Sequence, residues 1–223
     1  VPRGVLDQHE YDSKALGGRR RVVVYTPPAQ TEAPLPVLYL SHGYGDNEEG
    51  WSVHGKAHWI LDALLAAKKI EPMIVVMPDA FTIHNGSFYS NSATTGDWEK
   101  FIAVDLVGYV DSHYRTKANR ASRGLGGHSM GGYGTFRIGM KYPDVFSSLY
   151  SMSAGGVYED GASSADLVRA ESIKSKEEEA KLPYTQKSPF ARGAAWSANA
   201  NNPPFYLDLA TKDGKTQPRI ASK

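Results

Sequence analysis

The chain has no cysteine among its 223 residues. That excludes disulfide frameworks, thiolate metal sites and cysteine nucleophiles. It also has no surplus of one charge: 25 Lys and Arg stand against 24 Asp and Glu, a net charge of +1. Bulk electrostatics therefore favour neither nucleic acid nor an anionic membrane surface, and neither is expected as a partner. No apolar run approaches the roughly 20 residues that a membrane-spanning helix needs. The sequence starts at Val1 without a signal-peptide pattern, as a processed secreted protein or a trimmed one would. Absence of cysteine suits secretion as well as cytosol. A secreted or periplasmic location is the expectation, with the cytoplasm left open.

What is present is an alternation. Arg21 to Tyr25 (RVVVY), Pro36 to Leu40 (PVLYL) and Met73 to Met77 (MIVVM) are short apolar runs, each ended by Pro, Ser or Gly signals. Between and after them, Trp59–Ala67, Asp97–Tyr114 and Gly131–Tyr142 read as helices, the second with Phe101, Ile102, Leu106 and Val110 near one face. Val145–Ser151 reads as a further strand. Alternating short strands and helices predict an α/β fold, a mostly parallel central sheet with helices on both faces. Past residue 155 the pattern changes. Asp166–Leu182 reads as a charged, solvent-facing helix, Ala194–Pro204 as a loop and Phe205–Leu209 as a strand.

Gly127-His128-Ser129-Met130-Gly131 matches G-x-S-x-G, preceded by a strand-like segment and followed by an amphipathic helix (Tyr133, Phe136, Ile138, Met140). A serine hydroxyl attacks well only when exposed and close to a base. A tight strand-to-helix turn exposes it, and small flanking residues permit the turn. Ser129 is the expected nucleophile. Such chemistry needs two backbone N–H donors for the developing oxyanion. One comes from the residue after the nucleophile, here Met130. The other comes from the loop after an earlier strand. His42-Gly43-Tyr44-Gly45 follows PVLYL, and Tyr44 is the expected donor, with Gly43 next to it as the alternative.

At these residues the chain resembles the esterase family that includes esterase D, feruloyl and acetylxylan esterases, and the mycolyltransferases. The similar stretches are PVLYLSHGYG (36–45), PMIVVMP (72–78), YVDSHYR (109–115), GHSMGGYG (127–134), YPDVF (142–146) and PPFYLDL (203–209). The resemblance implies one α/β-hydrolase (esterase) domain over residues 1–223. It also implies a Ser–acid–His triad acting on esters, often hydroxycinnamic or acetyl groups on plant polysaccharide. The expected substrate is a small-molecule or polysaccharide ester, hydrolysed through an acyl-enzyme on Ser129 without cofactor or metal. Transfer to a sugar acceptor, and a non-catalytic carbohydrate-binding role, are the alternatives. The oligomeric state is not legible.

One part of the pattern is missing. All seven histidines (His9, His42, His54, His58, His84, His113 and His128) precede Ser129, whereas this fold orders its triad Ser, acid, His. His42 is the candidate substitute; His128 is expected beneath the turn, and the others at the surface or in structural roles. His54 and His58 have a helical metal pair's spacing but no H-E-x-x-H glutamate between them. Asp208 and Asp213 are possible acids, neither preferred over an ordinary strand or turn role. No final strand is evident, so the domain is expected to be incomplete at its C-terminus, with acid and histidine beyond Lys223. For the substrate pocket, residues 81–98 supply Phe88, Tyr89 and Trp98, and Trp51 is similar. Each is expected either to stack on a ring or to anchor its loop.

Overall fold

The computed structural model describes residues 1–28, 33–92, 95–154, 205–210 and 216–221, the last two segments as strands only. Eight strands form one sheet in the order β1-β2-β4-β3-β7-β8-β9-β10. They are β1 (Val5–Ser13), β2 (Gly18–Thr26), β3 (Val37–Ser41), β4 (Ile74–Pro78), β7 (Arg123–His128), β8 (Ser148–Met152), β9 (Phe205–Ala210) and β10 (Thr216–Ala221). A two-stranded ribbon, β5 (Asn91–Ser92) and β6 (Gly96–Asp97), stands apart. β4, β3, β7, β8 and β9 run parallel; β1, β2 and β10 join antiparallel at the two ends.

Alternation along the strands divides the core in two. Val22, Val24, Tyr39, Ile74 and Val76 face a large cluster with Phe101, Ile102, Leu106, Tyr133 and Ile138. Val23, Tyr25, Leu40, Val75 and Met77 face a smaller one with Leu61 and Leu65. Side chains on a strand alternate faces, so each apolar run feeds both layers. The first layer is covered by α4 (Met130–Lys141) and by a helical stretch formed from α2 (Trp98–Lys100), a π-helical segment (Phe101–Leu106) and α3 (Val107–His113). The second layer is covered by α1 (Ala57–Ala66). Tyr25 also donates its hydroxyl to Asp62 on α1 at 2.8 Å.

The structure refines the sequence reading at several elements. Val145–Ser147 lies outside β8, which starts at Ser148: Phe146 is buried as a plug against Tyr39, and its apolarity made the run look longer. The amphipathic helix expected after Ser129 is α4, and it is buried from Met130 to Gly139, a central helix of the fold. A strand does follow β9: β10 pairs with it antiparallel, Asp208 opposite Pro218. His54 and His58 do not share a helix; His54 ends a π-helical turn (Gly50–His54), and Lys56 at φ 51° breaks the chain before α1. The expected helix 166–182 and loop 194–204 lie outside the described residues, as does Asp213.

Candidate active site

The carboxyl ends of β4, β3 and β7 form one edge of the sheet, and in open parallel sheets ligands bind at that edge. Ser129 sits there, between the last residue of β7 and the first of α4. Its backbone has φ 54° and ψ −114°, a conformation that residues bearing a Cβ rarely adopt. Packing holds it: the Ser129 N–H donates to the Met152 carbonyl at the end of β8 (2.9 Å), and its carbonyl accepts from Tyr133 N–H (3.0 Å). The elbow glycines are steric necessities. A Cβ on Gly127 would come within 2.5 Å of the Gly131 carbonyl carbon and oxygen, and one on Gly131 within 2.4 Å of the Ser41 carbonyl oxygen. The strand therefore passes into the helix with the serine half-exposed, and with no side-chain hydrogen bond to the helix it caps.

Met130 is the first residue of α4. The first amides of a helix have no acceptor within it, and the helix dipole makes this end favourable for negative charge. The His42–Gly45 loop runs past the elbow. A Cβ on Gly43 would lie 3.6 Å from Ser129 Cβ and 3.6 Å from His128 Nδ1, so Gly43 brings the loop alongside Ser129. Tyr44 follows, its ring tilted against Phe88 at 6.0 Å. The structure thus brings Ser129, Met130 and the Gly43–Tyr44 peptide to one place.

A set of contacts that no short motif announces fixes this loop. Trp51 Nε1–H donates to the Ser41 carbonyl (3.0 Å), and the Tyr89 hydroxyl donates to the His42 carbonyl (3.1 Å). Gly45 N–H donates to Asn85 O (2.8 Å). Arg21 bridges the loop's Glu48 (Nε to Oε1, 3.3 Å) to Asp79 after β4 (3.3 Å). Glu48 is buried, which raises its pKa above the ordinary 4.5.

His42 does not serve as the base. It is 2% exposed, and its Nε2 accepts the Ala80 N–H at 2.8 Å. Its Nδ1 therefore carries the proton and donates to the Gly43 carbonyl at 2.7 Å. Burial lowers its pKa below 6.5. Both ring nitrogens are thus occupied in holding the loop. His128 is exposed, not packed beneath the turn. His113 is exposed and stacked on Tyr109, and the His54 side chain is 78% exposed, 3.9 Å from Asp46.

The aromatic candidates prove to be anchors. Tyr89 and Trp98 are fully buried and Phe88 nearly so. Trp98 Nε1–H donates to Thr95 O at 3.0 Å. Phe88 and Tyr89 sit at φ 50° and 51°. The segment is clamped to α4 by Glu99, whose Oε1 accepts from Arg137 Nε (2.5 Å) and Lys141 Nζ (2.8 Å). Burial works against charge on Glu99, but the two cations outweigh it and hold its pKa below the usual range. Among the described residues, no group of three or more His, Cys, Asp or Glu could hold a metal ion, and no helix is long and apolar enough to cross a membrane.

Sheet order, strained serine and adjoining glycine loop together define an α/β-hydrolase fold with Ser129 at a tight strand-to-helix elbow. The chain belongs to the esterase family described as "Putative esterase", which it matches over residues 13–220. It is 34% identical over 166 residues to an endo-1,4-beta-xylanase/feruloyl esterase of Xylanibacter ruminicola, covering 71% of this chain and 22% of that protein. It is 30% identical over 151 residues to an esterase of Mycobacterium tuberculosis, covering 65% of this chain and 31% of that one. The chain thus spans less than a third of the length of these curated relatives. Among solved structures, a ferulic acid esterase superposes with a TM-score of 0.69 at 28% identity, covering 88% of this chain and 76% of that one.

Proposed function

We propose that the protein hydrolyses carboxylic esters of feruloyl or acetyl groups carried on plant polysaccharide, through an acyl-enzyme on Ser129. The observation that carries the mechanism is the strained, half-exposed Ser129 at the start of α4 beside the Gly43–Tyr44 loop. The Ser129 hydroxyl adds to the ester carbonyl. The N–H groups of Met130 and Tyr44 receive the oxyanion, and the helix terminus adds its dipole. The alcohol leaves, and water releases the acid. The Oγ proton needs a base. His42 is held out of that role by its two hydrogen bonds, so the base and its acid are assigned to residues outside those described.

The substrate class rests on the relatives' names: feruloyl esterase activity is attached to the Xylanibacter protein and to the ferulic acid esterase structure. A secreted or periplasmic setting belongs to the same proposal, and the family match over residues 13–220 supports a single esterase domain. The test is release of ferulate from methyl ferulate, and of acetate from 4-nitrophenyl acetate, by the product of the whole gene. Ser129→Ala should lower either rate by at least ~10³-fold, the loss expected when a triad nucleophile is removed. If neither ester is hydrolysed, the non-catalytic reading replaces this one.

A further inference from the structure

The sheet edge that carries Ser129 also carries a concavity that ester chemistry at Ser129 does not use. Arg20, Asp79, Phe81, Thr82, Ile83 and Trp98 are among the residues lining a cleft of about 430 Å³. It opens where β4 ends and β2 begins, with Asp79 N–H donating to the Arg21 carbonyl at 3.0 Å. β3 lies between β4 and β7. Adjacent strands are about 4.8 Å apart, so two spacings, about 10 Å, separate the cleft from the nucleophile along the edge. A single acyl group on Ser129 does not need that reach; the alcohol side of a larger ester does.

The lining is specific in character. Trp98 is a buried wall, and the Arg20 guanidinium lies over its ring, 5.1 Å from the centroid. Arg20 Nε is buried with no hydrogen-bond partner, and among the described residues no carboxylate pairs with this side chain. A partly desolvated guanidinium without an acceptor is costly. Its terminal N–H groups also have no hydrogen-bond partner among the described residues, and a ligand bringing hydroxyl or ether oxygens would supply one there. Asp79 is fixed by Phe81 N–H (2.9 Å) and by Arg21 (3.3 Å). On the rim, Phe81 is 39% exposed and Ile83 88% exposed, an apolar platform that the fold itself does not consume. The cations Arg20 and Arg21 are balanced by Asp79 and Glu48, so the cleft has no charge surplus to select a phosphate or other strong anion.

An exposed apolar face beside a fixed guanidinium and a fixed carboxylate fits the C–H face and hydroxyl edge of a sugar. We infer that this cleft binds a sugar residue on the alcohol side of the ester, linked to the one whose ester reaches Ser129. The inference rests on the ester-hydrolase reading for what the sugar is attached to, but the binding itself does not require turnover.

The experiment is titration of the Ser129→Ala chain with xylotetraose, followed by calorimetry and by saturation-transfer NMR. Saturable binding is expected, weakened at least tenfold by Phe81→Ala and by Arg20→Met, which keeps a stem over Trp98 and removes the donor fork. Thermal unfolding verifies that each variant is folded, and Ile83→Asp, altering the most exposed rim residue, provides an independent arm expected to weaken binding as well. Trp59→Ala, an exposed aromatic on α1 away from the cleft, should bind as before. Absence of saturable binding, indifference to the cleft variants, or loss in Trp59→Ala would overturn the inference. Methyl ferulate carries no sugar, so its hydrolysis reports on the ester reading alone. Hydrolysis without xylotetraose binding sinks only the cleft; binding without hydrolysis sinks only the reaction.

Discussion

Ser129 stores strain that can be released by a single substitution. At φ 54° and ψ −114°, a side chain with a Cβ costs on the order of 1–3 kcal/mol, whereas glycine occupies the region freely. Ser129→Ala removes the hydroxyl but keeps the Cβ, and Ser129 makes no capping hydrogen bond to lose. Ser129→Gly removes both. Glycine also gains freedom in the unfolded chain, which takes back about 0.4–1 kcal/mol. The balance is a net gain of about 1 kcal/mol for glycine over alanine, and for a chain of this length that shifts Tm by about 2–4 °C. Scanning calorimetry of both variants under identical conditions measures it. The expected order is Gly above Ala, with Ala level with the wild type and both catalytically silent. If Gly melts at or below Ala, the elbow is not strained and the fold gives up no stability to expose this hydroxyl.

Three further expectations concern the frame around the site. Gly131→Ala, whose Cβ would meet two backbone carbonyls at 2.4 and 2.7 Å, should destabilise by about 1–3 kcal/mol; Gly108→Ala, exposed in α3 with nothing within 4 Å, should stabilise by about 0.5–1 kcal/mol, and urea midpoints compare the two. Glu99→Ala leaves Arg137 and Lys141 without their buried carboxylate, and a loss of about 3–5 kcal/mol is expected in the same assay. His42 titrates below 6.5 in the native state, so as pH falls through 6.5 the unfolded chain takes up a proton that the native one refuses, and stability drops; the midpoint of the wild type should fall more between pH 7.5 and 5.5 than that of His42→Gln.

The elements legible in the sequence are those whose burial is two-sided. β2, β3 and β4 are runs of valine, leucine and isoleucine because both faces of the sheet are covered, and no alternative use of such runs competes. β1 (VLDQHEYDS) escapes notice because an edge strand exposes charged residues, and only Tyr11 and Ser13 near its end are buried. β10 contains Pro218, which an edge strand tolerates and a sequence pattern reads as a break. At the site, Gly127, Ser129 and Gly131 are legible because their constraint is local, spanning five residues. The roles of Trp51, Tyr89 and Arg21 are not, since each acts across a distance in sequence: 10 residues from Trp51 to Ser41, 47 from Tyr89 to His42. Nor does a sequence distinguish an aromatic that anchors from one that offers its face. Phe88, Tyr89 and Trp98 fall in the same aromatic stretch after β4 as Phe81, yet only Phe81 is exposed.

These long-range contacts also explain why His42 cannot be redirected to take the Ser129 proton. Its position beside the glycine loop invites that role, but the loop depends on its neutrality. Nε2 must be unprotonated to accept from Ala80, and Nδ1 must be protonated to donate to Gly43. A base taking the Ser129 proton would cycle through the imidazolium, in which Nε2 becomes a donor and repels the Ala80 N–H. Each turnover would thereby loosen the peptide assigned to the oxyanion at the moment that charge develops. The fold instead buries His42, lowers its pKa and ties its carbonyl to Tyr89. This arrangement fits a histidine that shapes the oxyanion loop and leaves proton transfer to another group.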